Sequence, residues 1–223
     1  MRNPAIKSIL FDMDGLLLDT ESIYTEVTQM IVGRYGKVFD WSVKSHMIGR
    51  DSYDAASYLV KALDLPFEPE FYLEERNALL DERFPHSKPK AGAPLLIQTL
   101  SEKNIPIAVA TSSNQRHFEL KTRNHQDWFK YFDTVVTSNH PEVERAKPAP
   151  DIFLIAAKTL GYEPENCLVF EDAPSGIQAA NAAGMQVIAV PDPNMSHDAF
   201  LDATAIIDSL AEFDIEDWLS NNS

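Results

Sequence analysis

Four short strings in this chain carry polar groups of the kinds that handle phosphate and a divalent cation. In "ILFDMDG" an apolar run ends in Asp12, Asp14 follows two residues on, and Gly15 lets the chain turn away. Two crowded carboxylates repel each other and so demand a cation. Their oxygens are hard ligands suited to Mg²⁺, which keeps several waters and also binds substrate phosphate. In "IAVATSSN" a second apolar run ends in Thr111, Ser112 and Ser113, followed by Asn114. A hydroxyl there can donate to a phosphoryl oxygen, and the next helix would bring free backbone N–H groups to the same spot. Lys147, in "ERAKPAPDIF", is a compact positive charge whose local backbone is fixed by Pro148 and Pro150. In "CLVFEDAPSG" a further apolar run ends in the adjacent acids Glu171 and Asp172. Neighbouring strand residues point opposite ways, so both acids can serve one ion only where the strand is ending.

Each string has a plainer reading. Asp and Gly are common at strand ends, Ser and Asn are ordinary helix caps, and a lysine or an acidic pair can simply be solvated. Together, however, they place acids, hydroxyls and an ammonium group at the ends of βα units. That combination reads as a phosphoryl-transfer site.

The elements that must position these groups are visible as apolar runs at 6–11, 105–110, 132–137, 167–170, 185–190 and 203–207. Amphipathic stretches near 92–103, 114–123, 151–160 and 174–183 separate them. Strands alternating with helices indicate βαβ units around a parallel sheet. Runs that are apolar throughout suit a sheet covered on both faces. One interval breaks the rhythm: between Ser22 and Phe84 only helical patterns occur, near 22–35, 51–63 and 69–83. The expected architecture is therefore α/β, a Rossmann-like parallel-sheet core formed by 1–18 and 86–223, with an inserted helical domain at 19–85. Linkers fall at about 16–21 and 85–91. From Asp198 on, seven acidic side chains and no Lys, Arg or His predict a solvated closing helix and tail.

Composition narrows the class of partner. Lys plus Arg total 19 against 34 Asp plus Glu, a formal net charge of -15. Such a surface repels nucleic-acid backbones and anionic lipid, so no nucleic-acid or membrane partner is expected. No window approaches a membrane-spanning apolar length, and the acids at Asp12 and Asp14 interrupt any secretory apolar region. The expectation is a soluble cytoplasmic monomer. A phosphorylated substrate is itself an anion, so positive charge must be supplied locally by a metal or placed lysines.

The motif set resembles the haloacid-dehalogenase-like superfamily of phosphohydrolases, and the likeness covers nearly the whole chain. The resemblance implies that Asp12 attacks phosphorus to form an aspartyl-phosphate and that Asp14 is the general acid and then base. It implies phosphoryl binding by Ser112, with Ser113 and Asn114 beside it, and identifies Lys147 with the family's lysine. Mg²⁺ is then held by the Asp12 carboxylate, the Asp14 backbone carbonyl and Asp172, with Glu171 acting directly or through water. Superfamily members that dehalogenate lack the second aspartate, so Asp14 argues for phosphate chemistry. The helical insert resembles the cap of the branch containing sugar phosphatases and β-phosphoglucomutase. Its substrate-facing candidates are Glu21 and Tyr24 on the first cap helix, and Gly49 and Arg50 in "HMIGRDSYDA". Strings such as "FELKTRNHQDWFKYFD" and "HPEVERAKPAPDIFL" resemble pseudouridine-5'-phosphatases and homologues acting on glycerol 3-phosphate. Lys121 in "ELKT" joins the substrate-binding set on that likeness. The implied substrate is a small phosphorylated metabolite, pseudouridine 5'-phosphate first, with glycerol 3-phosphate or a sugar phosphate as alternatives.

Two competing functions stay open at this point. A phosphomutase would use the same core residues and return the phosphate to a second hydroxyl. A binding or scaffold protein would tolerate decay of a catalytic position, yet Asp12, Asp14, Ser112, Lys147 and Asp172 are all intact. The six histidines are scattered without zinc-ligand spacing. Cys167, the single cysteine, sits in an apolar run as a small buried hydrophobe.

Overall fold

The computed structural model describes residues 5–48, 50–216 and 218. Among the described residues eight strands occur in chain order: β1 (Ser8–Phe11), β2 (Leu18–Asp19), β3 (Lys88–Pro89), β4 (Ile107–Ala110), β5 (Thr134–Val136), β6 (Cys167–Glu171), β7 (Gln186–Ala189) and β8 (Ala205–Ile206). Six of them form one sheet in the order β5-β4-β1-β6-β7-β8, every pair parallel. The chain winds outward from β1 through β4 to β5, then returns to β6 on the other side of β1. In an open α/β sheet that reversal leaves a crevice outside the carboxyl ends of the strands, where ligands bind.

Both faces of the sheet are buried, which is why its strands lack a polar alternation. Ile9 and Phe11 of β1 point into one core with Val109, Phe170 and the buried side chains of α5 (Ala93–Glu102). Leu10, between them, points into the other core with Ala108 and Val169. That second core is closed by α8 (Asp151–Leu160) and α9 (Pro174–Ala182). Ala179 and Ala180 are fully buried, and their small side chains let α9 lie close to the strands. Fully burying a side chain such as Ile9 or Leu10 contributes about 1.5–3 kcal/mol.

The described chain forms two compact units, Met1–Asp19 with Lys88–Ser223, and Thr20–Ser87. In the second, α1 (Thr20–Gly33), α2 (Trp41–Lys44), α3 (Ser52–Ala62) and α4 (Pro69–Arg83) form a helical body. Asp51 caps α3 by accepting from Tyr53 N at 2.9 Å and Asp54 N at 3.0 Å. Pro69 opens α4, where its missing N–H costs nothing. Tyr72 of α4 is buried, and its hydroxyl meets Thr28 Oγ1 of α1 at 2.8 Å, so the phenol is not left without a partner.

Two features differ from the sequence reading, and one candidate residue falls outside the described residues. The two linkers are not plain loops: Leu18 pairs with Pro89 and Asp19 with Lys88 in a short antiparallel ladder. Over 198–214 the chain is not a solvated helix; helix begins only at Ile215, and most of the expected tail beyond it lies outside the described residues. The segment contains β8 and a 3₁₀ turn at Leu210–Glu212, and Leu210 and Ile215 are buried. Phe213 stands edge-on to Phe170 of β6 at 4.8 Å, so apolar residues among the acids dock this segment onto the core. Gly49 lies outside the described residues. No helix of the described residues is long and apolar enough to cross a membrane.

Candidate active site

Asp12 follows the last residue of β1 and is buried. Its N–H donates to Phe170 O of β6 at 3.0 Å, so the sheet fixes its backbone. Lys147 comes from the loop between β5 and α8. Its ammonium donates to Asp12 Oδ1 at 2.6 Å, to Glu171 Oε1 at 2.6 Å and to Ala110 O at 3.2 Å. The same ammonium stands over the Phe153 ring at 4.8 Å. Three strand ends thus meet at one nitrogen.

Electrostatics at this contact pull in opposite directions. Burial pushes the Asp12 carboxyl from its ordinary 3.8 up to about 7; Lys147 opposes the shift, while Glu171 and Asp14 add to it. For Lys147, burial works against the charge, but the adjacent Asp12 and Glu171 carboxylates outweigh it and hold the ammonium above its ordinary value. Lys147 therefore stays charged, while burial disfavours the ionised form of Asp12.

Asp14 is gripped from the side of β4. Ser113 Oγ donates to Asp14 Oδ2 at 2.8 Å, and Thr111 Oγ1 reaches the same oxygen at 3.3 Å. Lys121, on α6 (Gln115–Thr122), donates to Asp14 Oδ1 at 2.6 Å and to Ser113 Oγ at 2.8 Å. The structure thus places Lys121 beneath Asp14. One sequence signal points there: Lys121 follows Phe118 by three residues and so shares its core-facing side of the helix. Thr111, treated only as part of its string, also belongs to this group.

Glu171 ends β6 with both oxygens in use. Oε1 accepts from Lys147, and Oε2 accepts from Asp172 N at 2.9 Å and Ala173 N at 3.0 Å. Gly176 is required beside it, because a Cβ there would fall 1.8 Å from Glu171 Oε1. Asp172 turns toward the loop after β1, where a Cβ on Gly15 would fall 2.1 Å from Asp172 Oδ2.

The remaining site candidates divide. Ser112 is exposed at the end of β4, whereas Ser113 is buried against Asp14. Asn114 caps α6 by accepting from His117 N at 2.9 Å. The expected supply of free N–H groups at this helix start is reduced, since Ser113 N donates to Thr111 Oγ1 and Gln115 N to Asn139 Oδ1. Glu21, Tyr24 and Arg50 belong to the Thr20–Ser87 unit. There Glu21 pairs with Lys44 at 3.0 Å, Tyr24 stands edge-on to Phe84 at 5.6 Å, and the Arg50 guanidinium lies 5.1 Å above the Tyr58 ring.

A hydrated divalent cation suits this chemistry. Four carboxylates, at Asp12, Asp14, Glu171 and Asp172, share the sheet's carboxyl edge with the ammonium groups of Lys147 and Lys121. Burial, with Glu171 and Asp14 nearby, raises the Asp12 carboxyl, and a bound cation would favour its ionised form. Among the described residues, no three carboxylates, imidazoles or thiolates gather into a ready-made cage. Mg²⁺ does not need one, because it keeps waters and uses one or two carboxylates with substrate phosphate.

Comparison with known proteins gives the family of the chain. Residues 9–190 match the model of the haloacid dehalogenase-like hydrolases. A (DL)-glycerol-3-phosphatase 2 of Arabidopsis thaliana is 45% identical over 98% of this chain and 96% of its own. A probable pseudouridine-5'-phosphatase of Drosophila melanogaster is 40% identical over 98% of this chain and 97% of its own. Among solved structures, a HAD family hydrolase from Deinococcus radiodurans R1 with bound phosphate and sodium superposes with a TM-score of 0.81. It is 25% identical and covers 93% of each chain. With its strand-end carboxylates, its buried lysine and a family match spanning most of its length, the chain belongs to the haloacid dehalogenase-like hydrolases.

Proposed function

We propose that this protein is a Mg²⁺-dependent phosphomonoesterase that works through a phosphorylated Asp12. The observation that carries the reading is the buried Asp12 carboxylate, held 2.6 Å from the Lys147 ammonium at the carboxyl end of β1, with Asp14 two residues away. Asp12 Oδ attacks phosphorus as the bond from phosphorus to the leaving oxygen breaks, and Asp14 delivers its proton to that oxygen. Asp14 then takes a proton from water, whose oxygen attacks phosphorus and releases Asp12 and inorganic phosphate. Lys147 keeps Asp12 in place and adds positive charge beside the incoming dianion. Ser112 offers its exposed hydroxyl to a phosphoryl oxygen.

The carboxylates of Asp12 and Asp172 and the backbone carbonyl of Asp14 would hold the metal. Both Glu171 oxygens are already committed to Lys147 and backbone N–H groups, so Glu171 supports the site rather than ligating directly. Bound Mg²⁺ supplies charge that offsets the repulsion between a carboxylate and a phosphate dianion.

The substrate is a small phosphomonoester whose alcohol half is read by the Thr20–Ser87 unit acting as a cap, with Glu21 and Arg50 as contacts. Glycerol 3-phosphate and pseudouridine 5'-phosphate come first, because nearly full-length relatives are named for them. The test is release of inorganic phosphate across these two compounds, sugar phosphates and nucleotides, with and without Mg²⁺. Metal-dependent release supports the proposal. Transfer of phosphate to a second hydroxyl without release, or turnover independent of Asp12, defeats it.

A further inference from the structure

The group beneath Asp14 has a specific layout. Lys121 has 1% of its side chain exposed, while Asp14 keeps 23%. A sealed ammonium cannot touch a substrate, yet it touches a carboxylate that solvent can reach. The contacts close a ring: Lys121 donates to Asp14 Oδ1 and to Ser113 Oγ, and Ser113 Oγ donates to Asp14 Oδ2. Thr111 Oγ1 supports the same oxygen and also accepts from Ser113 N. A carboxylate bound through both oxygens cannot rotate about its last bond without losing a charge-assisted contact. Burying a lysine at this depth is costly unless it is paired, and the Asp14 carboxylate at 2.6 Å is an oppositely charged partner that offsets that cost.

We propose that Lys121 is a positioning residue that holds the Asp14 carboxylate in the orientation needed for proton transfer, with Ser113 as its relay. This reassigns Lys121 from substrate binding and rests on the phosphatase reading above. A group transferring a proton must be aimed at a particular oxygen, and correct placement of such a group contributes typically 10²–10⁴-fold to the rate. Packing alone would not make the effect of Lys121 depend on the leaving group. Aiming would.

The experiment compares native protein with Lys121→Met on two substrates in Mg²⁺. One is 2,4-dinitrophenyl phosphate, whose phenolate departs without a proton; the other is glycerol 3-phosphate, whose alkoxide cannot. Single-turnover measurement isolates formation of the phosphoenzyme. For Lys121→Met the expected burst of dinitrophenolate stays within about threefold of native, while glycerol release slows on the order of 10²-fold. Steady-state turnover slows with both substrates, because each must pass through hydrolysis of the same phosphoenzyme. Equal slowing of both bursts overturns the proposal, as do unchanged rates or a rise in KM at constant kcat. Should Lys121→Met not fold, Ser113→Ala, which keeps the ion pair and removes the relay, is expected to show the same split to a smaller extent; no split in that variant overturns the idea. Absence of native turnover with both compounds and with every other phosphomonoester of the screen defeats the phosphatase reading itself, a result distinct from a native enzyme whose variants lose both bursts equally.

Discussion

Gly15 and Asp172 share space that no side chain at position 15 could enter. A methyl group on Gly15 would lie 2.1 Å from Asp172 Oδ2, and Gly15 also adopts a left-handed backbone with φ +82°. The loop after β1 and the end of β6 are therefore fitted together at an acid proposed to hold metal. Gly15→Ala is expected to destabilise the fold by about 1–3 kcal/mol from the backbone alone. It should also displace Asp172 and weaken Mg²⁺ activation. Thermal unfolding and a Mg²⁺ titration of activity check both effects, and an unchanged Mg²⁺ requirement would detach Asp172 from the metal role.

Asp12→Asn should abolish phosphate release and covalent labelling while leaving a folded protein. The amide cannot attack phosphorus, and it removes a buried carboxyl that burial disfavours. Acid-quench detection of phosphoenzyme, beside a melting curve, tests the pair of outcomes. Appreciable residual turnover would rule out the covalent route.

The raised Asp12 value has a pH consequence. The unfolded carboxyl loses its proton near 3.8, whereas the folded, metal-free protein keeps it up to about 7. Between these values the native state binds more protons, so this group's contribution to stability declines as pH rises, by up to about 1.4 kcal/mol per unit. Cation binding needs the ionised form and therefore weakens as pH falls below about 7. Melting temperatures in EDTA and Mg²⁺ affinities across this range should move in opposite senses. Parallel pH dependence of the two would contradict the assignment.

Lys147→Met should be more damaging than an ordinary surface change. It leaves Asp12 and Glu171 side by side without their shared ammonium, and breaking a buried pair in this way costs about 3–5 kcal/mol. Turnover should fall with stability. Adding Glu171→Gln in the same chain should recover part of the stability but none of the activity, which denaturant melts and phosphate assays separate.

The six strands of the sheet were legible as apolar runs with no polar alternation, β1, β4, β6 and β7 being buried nearly throughout and β5 and β8 only partly, and the longer helices because signals such as the Asp51 cap and Pro69 mark their starts. The ladder between Leu18–Asp19 and Lys88–Pro89 was not, since two residues carry no periodicity. The four-residue helices at Trp41–Lys44 and Gln126–Phe129 escaped for the same reason. The tail misled through its acids: Leu210, Phe213 and Ile215 anchor it while the charges face outward. At the site, the strand ends suggested that Asp12, Lys147 and Glu171 would meet. The sequence could not show how Lys121 and Asp14 find each other, because a contact across 107 positions is set by the βαβ winding rather than by any local pattern.

The short ladder also bears on how such a chain can change. Thr20–Ser87 leaves and rejoins the sheet unit through two segments hydrogen-bonded to each other, so its two ends form one shared doorway. An insertion attached that way can be lengthened, exchanged or recruited from elsewhere without shifting the register of a single core strand. On the proposed function, selectivity for the alcohol half of a substrate could thereby evolve as a replaceable module while the chemistry proposed at β1 stays fixed.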